Sequence, residues 1–205
     1  MATLEFFFDC SSPWTYLAFD QIEAIADEGE ADLEWRPILV GGVFNAVNGS
    51  VYEQRSNPVP AKARYHAKDL QDWSRLYGLT IDWPEVFPVN SVKAMRACVV
   101  ADETGRLPAL ARAVFESYWG EGRDISQDAV LAEVFAKVGF DPAEMLERIA
   151  EPAVKEQLRA NTQELIDRGG FGSPTVFVDG DDMYFGNDRL SLVLEALSRA
   201  RGDTA

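Results

Sequence analysis

Residues 8–18 read Phe8-Asp9-Cys10-Ser11-Ser12-Pro13-Trp14-Thr15-Tyr16-Leu17-Ala18, and the change of pattern inside this stretch decides the fold. Upstream of it, residues 3–9 (T-L-E-F-F-F-D) are few, aromatic and apolar, which suits a buried strand better than a helix. Ser11-Ser12-Pro13 stops that run. Downstream, Trp14, Leu17, Ala18, Ile22 and Ile25 recur at helical spacing. A helix is therefore predicted to about Asp27, with Ser12 as its N-cap and Pro13 at its first position, where the missing N–H of proline costs nothing. Residues 33–40 (L-E-W-R-P-I-L-V) read as a second strand, and Pro37 makes it an edge strand or a bulged one.

From residue 41 to about 60 the chain carries Gly, Asn and Pro throughout and is expected to be a loop. Helical patterns follow at residues 61–77, 91–103, 108–119, 126–138, 142–149 and 152–168, and Gly169-Gly170-Phe171-Gly172 closes the last of them. Residues 175–178 and 183–185, separated by Asp179-Gly180-Asp181-Asp182, form a hairpin signal. A helix from Asp188 to about Arg201 is expected to end the ordered chain, leaving 202–205 as a disordered tail. The resulting order is β-α-β, a helical block, then β-β-α. This is the order of an α/β thioredoxin-like fold with a large helical insertion. Residues 1–40 and 170–205 would form the thioredoxin-like domain and 41–169 the inserted helical domain.

Composition removes several classes of function. Among 205 residues, 34 are Asp or Glu and 19 are Lys or Arg, a formal charge of −15. Nucleic-acid backbones are held by clusters of Lys and Arg, and this sequence has none. An anionic membrane surface would repel the chain as well. No apolar run approaches the roughly 20 residues that span a bilayer. The acidic residue in Met1-Ala2-Thr3-Leu4-Glu5 stands where a signal peptide is basic, so a cytoplasmic location is expected. Cys10 and Cys98 lie far apart in no pair motif, and His66 is the single histidine. Thiolate metal clusters, the usual zinc patterns and a Ser-His-Asp triad lose their support, and no metal is expected. Both cysteines read as small buried apolar residues and His66 as a surface or structural residue.

Three short stretches could carry chemistry. Thioredoxin-like oxidoreductases place a C-x-x-C pair where the first strand turns into its helix, because the free N–H groups and the helix dipole lower a thiol's pKa there. In this chain that position reads Ser12-Pro13-Trp14-Thr15, so a dithiol cycle cannot operate. A hydroxyl at that point can donate to a thiolate brought by a ligand, or can simply cap the helix. The second stretch, Gly172-Ser173-Pro174-Thr175, precedes a strand. By base rate Pro174 is trans, but its place before the hairpin favours a cis proline whose preceding residue, Ser173, can pair its backbone with a peptide-like ligand. In the third, Gly186-Asn187-Asp188-Arg189-Leu190, Asp188 either caps the last helix or, with Asn187, holds an amino-acid head group and faces its ammonium.

F-D-x-x-S-P-x-x-Y-L-A near the start, A-K-A-R-Y followed by D-L-Q-D-W in the insertion, and G-S-P-T followed by F-G-N-D-R-L near the end resemble the 2-hydroxychromene-2-carboxylate isomerase family. That family is related to kappa-class glutathione transferases and DsbA-like proteins, and the motifs fall in order across nearly the whole chain. The resemblance implies glutathione as cofactor and an isomerase acting on 2-hydroxychromene-2-carboxylate or a related conjugated aromatic carboxylate by reversible thiolate addition. It further implies that Ser12 stabilises the glutathione thiolate, with Ser11 as the neighbouring alternative. Lys62 of A-K-A-R-Y would face a glutathione carboxylate, unless it is only an exposed lysine on an amphipathic helix. Ser173, Pro174, Asn187 and Asp188 complete the implied glutathione site. The loop at 119–125, Trp119-Gly120-Glu121-Gly122-Arg123-Asp124-Ile125, resembles a substrate-side loop without an assigned role. The expected partner is a small-molecule substrate, with a homodimer left open. A kappa-like transferase and a non-catalytic thiol- or peptide-binding module are the competing readings of the same site.

Overall fold

A computed structural model describes residues 1–202. Strand β1 (Ala2–Phe8) leads into helix α1 (Pro13–Glu28) and strand β2 (Ala31–Pro37). The helical block comprises α2 (Val40–Val47), α3 (Ser50–Ser56), α4 (Pro60–Tyr77), α5 (Val92–Asp102), α6 (Leu107–Phe115) running into a π-helical turn (Glu116–Gly120), α7 (Asp128–Lys137), α8 (Pro142–Arg148) and α9 (Pro152–Asp167). Strands β3 (Thr175–Val178) and β4 (Asp182–Phe185), a 3-10 turn (Asn187–Arg189) and α10 (Leu190–Ala200) follow. The sheet order is β2-β1-β3-β4, with β1 parallel to β2 and antiparallel to β3, and β3 antiparallel to β4. The thioredoxin-like α/β order expected from the sequence is the one observed. The disordered tail expected from Gly202 onward lies, beyond Gly202, outside the described residues.

The unbroken F-F-F of β1 follows from burial on both faces of the sheet. Phe6 and Phe8 stack at 5.7 Å on the face that receives Phe19 of α1 and Trp35 of β2. Phe7 points the other way, onto Phe177 at 5.6 Å, in a smaller cluster with Ile38, Val43 and Leu165. The larger cluster continues without a break into the helical block through Ala94, Leu110 and Phe135. Pro37 ends β2 at the sheet's edge, where its missing N–H leaves no ladder bond unmade.

Two expectations are corrected. The second strand stops at Pro37 and not at Val40, because residues 39 and 40 give their amides to partners outside the sheet. Ile38 still donates to the Phe8 carbonyl at 3.0 Å, but Leu39 donates to Thr162 Oγ1 of α9 at 3.0 Å and Val40 to the Asp9 carboxylate at 2.9 Å. The expected loop at 41–60 instead holds α2, α3 and the start of α4. Gly41 and Gly42 are poor helix formers, so propensity argues against α2. Packing overrides it: Val40 and Val43 are buried, and a Cβ at Gly42 would sit 3.3 Å from the Thr162 methyl, so the glycine lets α2 lie close on α9.

Candidate active site

The turn between β1 and α1 opens onto a cleft of about 1170 Å³, whose far wall is built from α2, α3, the start of α4 and the segment before α5. Ser12 is half-buried at the N-cap of α1, with Pro13 at the first helical position as the sequence predicts. Its Oγ accepts from the Thr15 N–H at 3.2 Å and donates toward the Ser173 carbonyl at 3.4 Å, a long contact. Thr15 is fully buried and its hydroxyl shares a 2.8 Å hydrogen bond with Ser173 Oγ, which also accepts from the Asp9 N–H at 3.1 Å. Ser12 and Thr15 thus meet the segment before β3, and that segment carries a cis Ser173–Pro174 bond. The Ser173 N–H makes no hydrogen bond within the protein among the described residues.

Asp9 organises the turn from below. Its buried carboxylate accepts from Ser11 N at 2.9 Å, Val40 N at 2.9 Å and Ser91 Oγ at 3.1 Å, so it joins the ends of β1, β2 and the entry to α5 at one point. Burial pushes its pKa up, against the pull of those donors and of the Ser11 hydroxyl. Trp119 steadies the same turn from the π-helical segment. Its fully buried indole donates to the Cys10 carbonyl at 2.9 Å, which gives the unassigned 119–125 loop a positioning role at its first residue. Neither Asp9 nor Trp119 was singled out as a site residue in the sequence. The only available signal was their membership in the F-D-x-x-S-P motif and the W-G-E-G loop.

Cys10 and Cys98 are both buried free thiols, and they lie against each other despite their separation in sequence. Burial pushes the Cys10 thiol up, and the neighbouring Cys98 and Asp9 add to it, so the reading of both as small buried residues fits the structure. Lys62 and His66 stand one turn apart on α4, exposed, and both line the cleft. Lys62 has no carboxylate within ion-pair distance among the described residues.

Asn187 and Asp188 do not line the cleft; they adjoin it through Pro174, whose carbonyl accepts from the Gly186 N–H at 3.1 Å. Asn187 is buried and its Nδ2 has no hydrogen-bond partner among the described residues. Asp188 is exposed and lies 2.6 Å from Arg189 Nη1. The reading of Asp188 as cap of the last helix is corrected. A 3-10 turn occupies 187–189, and Arg189 takes the N-cap position of α10. Gly186 makes the turn possible at φ 104°, where a Cβ would meet Asp188 Oδ1 at 2.8 Å. The structure therefore brings Ser12, Ser173 and Lys62 to one cleft and places Pro174, Asn187 and Asp188 beside it.

The DSBA-like thioredoxin domain family model matches residues 3–198. The 2-hydroxychromene-2-carboxylate isomerase of Pseudomonas putida is 31% identical over 96% of this chain and 94% of its own length. Glutathione S-transferase kappa 1 of Homo sapiens is 28% identical over 95% of this chain and 90% of its own. Among solved structures, a 2-hydroxychromene-2-carboxylate isomerase superposes with a TM-score of 0.81 at 28% identity, covering 97% of this chain and 96% of that one. A probable DsbA oxidoreductase from Streptomyces coelicolor, 19% identical with a TM-score of 0.77 over 100% of this chain and 92% of that one, shares the fold.

Proposed function

The chain belongs to the DSBA-like thioredoxin domain family, and from that premise we propose that it is a glutathione-dependent isomerase of conjugated aromatic carboxylates of the 2-hydroxychromene-2-carboxylate type. The observation that carries this reading is the Ser12 hydroxyl at the N-terminus of α1, where a dithiol enzyme would hold a cysteine. Among the described residues its proton is held only by a 3.4 Å contact to the Ser173 carbonyl. Such a proton is easily redirected to a better acceptor. The name of the Pseudomonas putida relative, matched over 96% of this chain, supports the same reading.

The residues present fit glutathione. A thioredoxin-type peptide site needs an unused backbone donor before the cis proline, and the Ser173 N–H is unused among the described residues. The tripeptide's carboxylates need cationic or dipolar partners in a chain of charge −15, and Lys62 is exposed at the cleft without a carboxylate of its own. The orphaned Nδ2 of Asn187 and the carboxylate of Asp188 would serve the amino-acid end. When bound, glutathione supplies a thiolate that adds to a conjugated enone, lets the former double bond rotate, and leaves again unconsumed. Ser12 donates a hydrogen bond to the sulfur, and the α1 dipole favours its charge. A free thiol near pKa 8.5 is mostly protonated at pH 7, so both raise the reactive fraction. Thr15 and Asp9 hold Ser173 in place, and Trp119 holds the carbonyl of Cys10.

A kappa-like transferase is the second reading, favoured by the kappa relatives. The deciding experiment is a spectral assay with 2-hydroxychromene-2-carboxylate and substoichiometric glutathione. Turnover with all glutathione recovered is the expected result. Glutathione consumed in proportion to product would establish the transferase, and binding without turnover of any electrophile would leave a thiol-binding module.

A further inference from the structure

The wall of the cleft formed by α2, α3 and the segment before α5 has a composition of its own. Arg55 of α3 lies over two aromatic rings that line the cleft, 5.4 Å from the centroid of Phe44 and 5.3 Å from that of Phe87. Trp83 packs on Phe87 at 4.6 Å and yet is 62% exposed. The indole therefore offers an aromatic face at the mouth of the cleft. Arg55 has no carboxylate within ion-pair distance among the described residues, in a chain with 34 Asp and Glu. Most other arginines of the described chain are paired with acids, so an unpaired guanidinium facing a cavity is left available for an anionic ligand.

We propose that Arg55 binds the carboxylate of a planar aromatic substrate, and that with Phe44, Phe87 and Trp83 it makes the cleft selective for aromatic acids over neutral ring compounds. The inference rests on the isomerase reading of the cleft and deepens it by naming the group that reads the substrate's charge. A guanidinium offers two parallel N–H donors that match a carboxylate, which an ammonium does not. The two rings restrict its orientation, so less side-chain freedom is lost when the ligand arrives. The aromatic faces beside it accept the ring of the same molecule, whereas the extended, aliphatic glutathione has no use for them. Lys62, nearer the start of α4, is then left to the tripeptide.

The test is direct binding of trans-cinnamate and of the neutral trans-cinnamamide, by calorimetry, to wild type, Arg55→Gln and Arg55→Lys, together with the glutathione KM of each. The expected result is that Arg55→Gln weakens cinnamate by about tenfold or more, the loss typical of a charge-assisted hydrogen bond, and leaves cinnamamide and the glutathione KM unchanged. Arg55→Lys should recover part of the cinnamate affinity. Equal loss of acid and amide, no loss of either, failure of wild type to bind cinnamate, or a raised glutathione KM would each overturn the assignment. Arg55-dependent binding of cinnamate by a protein that fails the isomerase assay would remove the reaction and keep the site. Glutathione-dependent isomerisation with unchanged cinnamate binding in Arg55→Gln would do the reverse.

Discussion

Ser12 Oγ has two tasks, and they can be separated by substitution. As a cap it satisfies the Thr15 N–H, and as a donor it is the group proposed to meet the thiolate. Ser12→Ala should lower stability by about 1 kcal/mol through the lost cap. It should lower turnover on the order of 100-fold, the usual cost of removing one donor from a developing or stored negative charge. The glutathione KM should move little, because most of the tripeptide is held elsewhere. Ser11, whose hydroxyl is engaged with the Asp9 carboxylate, should keep most activity as Ala; full activity in Ser12→Ala with loss in Ser11→Ala would shift the assignment by one residue. Lys62→Ala should raise the glutathione KM more than it lowers kcat, since it removes binding felt equally in ground and transition states. An unchanged KM with reduced kcat would place Lys62 in the chemical step.

The ties between elements are charged as well as apolar. Glu5, in the middle of β1, accepts from Arg168 just after α9, with Nη2 at 2.5 Å and Nη1 at 3.0 Å, and from Arg36 of β2 at 3.1 Å. Arg168 also lies 3.8 Å above the Phe177 ring of β3. Burial alone would raise the Glu5 pKa, but the two guanidiniums hold it below the ordinary 4.5. A carboxyl depressed in the folded state contributes stability above its unfolded pKa and loses it as pH falls through the folded value. Glu5→Gln should therefore cost about 2 kcal/mol in denaturant unfolding at pH 7, and the gap to wild type should shrink below pH about 4.5. A gap that stayed constant from pH 7 to pH 3 would show that Glu5 matters through packing and not through charge.

For the molecule as a whole, the two thiols lie in the core and not at the cleft, and no helix of the described residues is long and apolar enough to cross a membrane. Burial lifts the Cys10 thiol well above its usual range. Native protein should therefore show no thiol reactive with an aromatic disulfide reagent at pH 8, and both should react once the chain is unfolded. Insulin reduction should be absent, because Ser12 and Thr15 stand where a dithiol enzyme has its cysteines. Turnover comparable to a C-x-x-C enzyme, or a fast-reacting thiol in the folded state, would contradict the burial seen here.

What could be read in the chain alone was local. The aromatic run of β1, the Ser12-Pro13 start of α1, the hairpin of β3 and β4 and the edge position of Pro37 each depend on residues within a few positions of one another, so periodicity and turn chemistry sufficed. The hydroxyl pair in place of cysteines was equally plain, and the motif resemblance named a family that the comparisons share. Helix α2 was hidden because Gly41 and Gly42 argue against a helix until Thr162 is in place beside them. The end of β2 is not legible along the chain because the partners of Leu39 and Val40, on α9 and at Asp9, lie 123 and 31 residues away. The site itself is held by contacts of the same kind: Ser173 to Thr15 across 158 residues and Trp119 to Cys10 across 109. Arg55 reads as one more surface arginine until Phe44 and Phe87 are folded beneath it. Propensity and spacing act along the chain, whereas burial, hydrogen-bond partners and the charge of a cleft are set by residues that only the folded sheet and its helical block bring together.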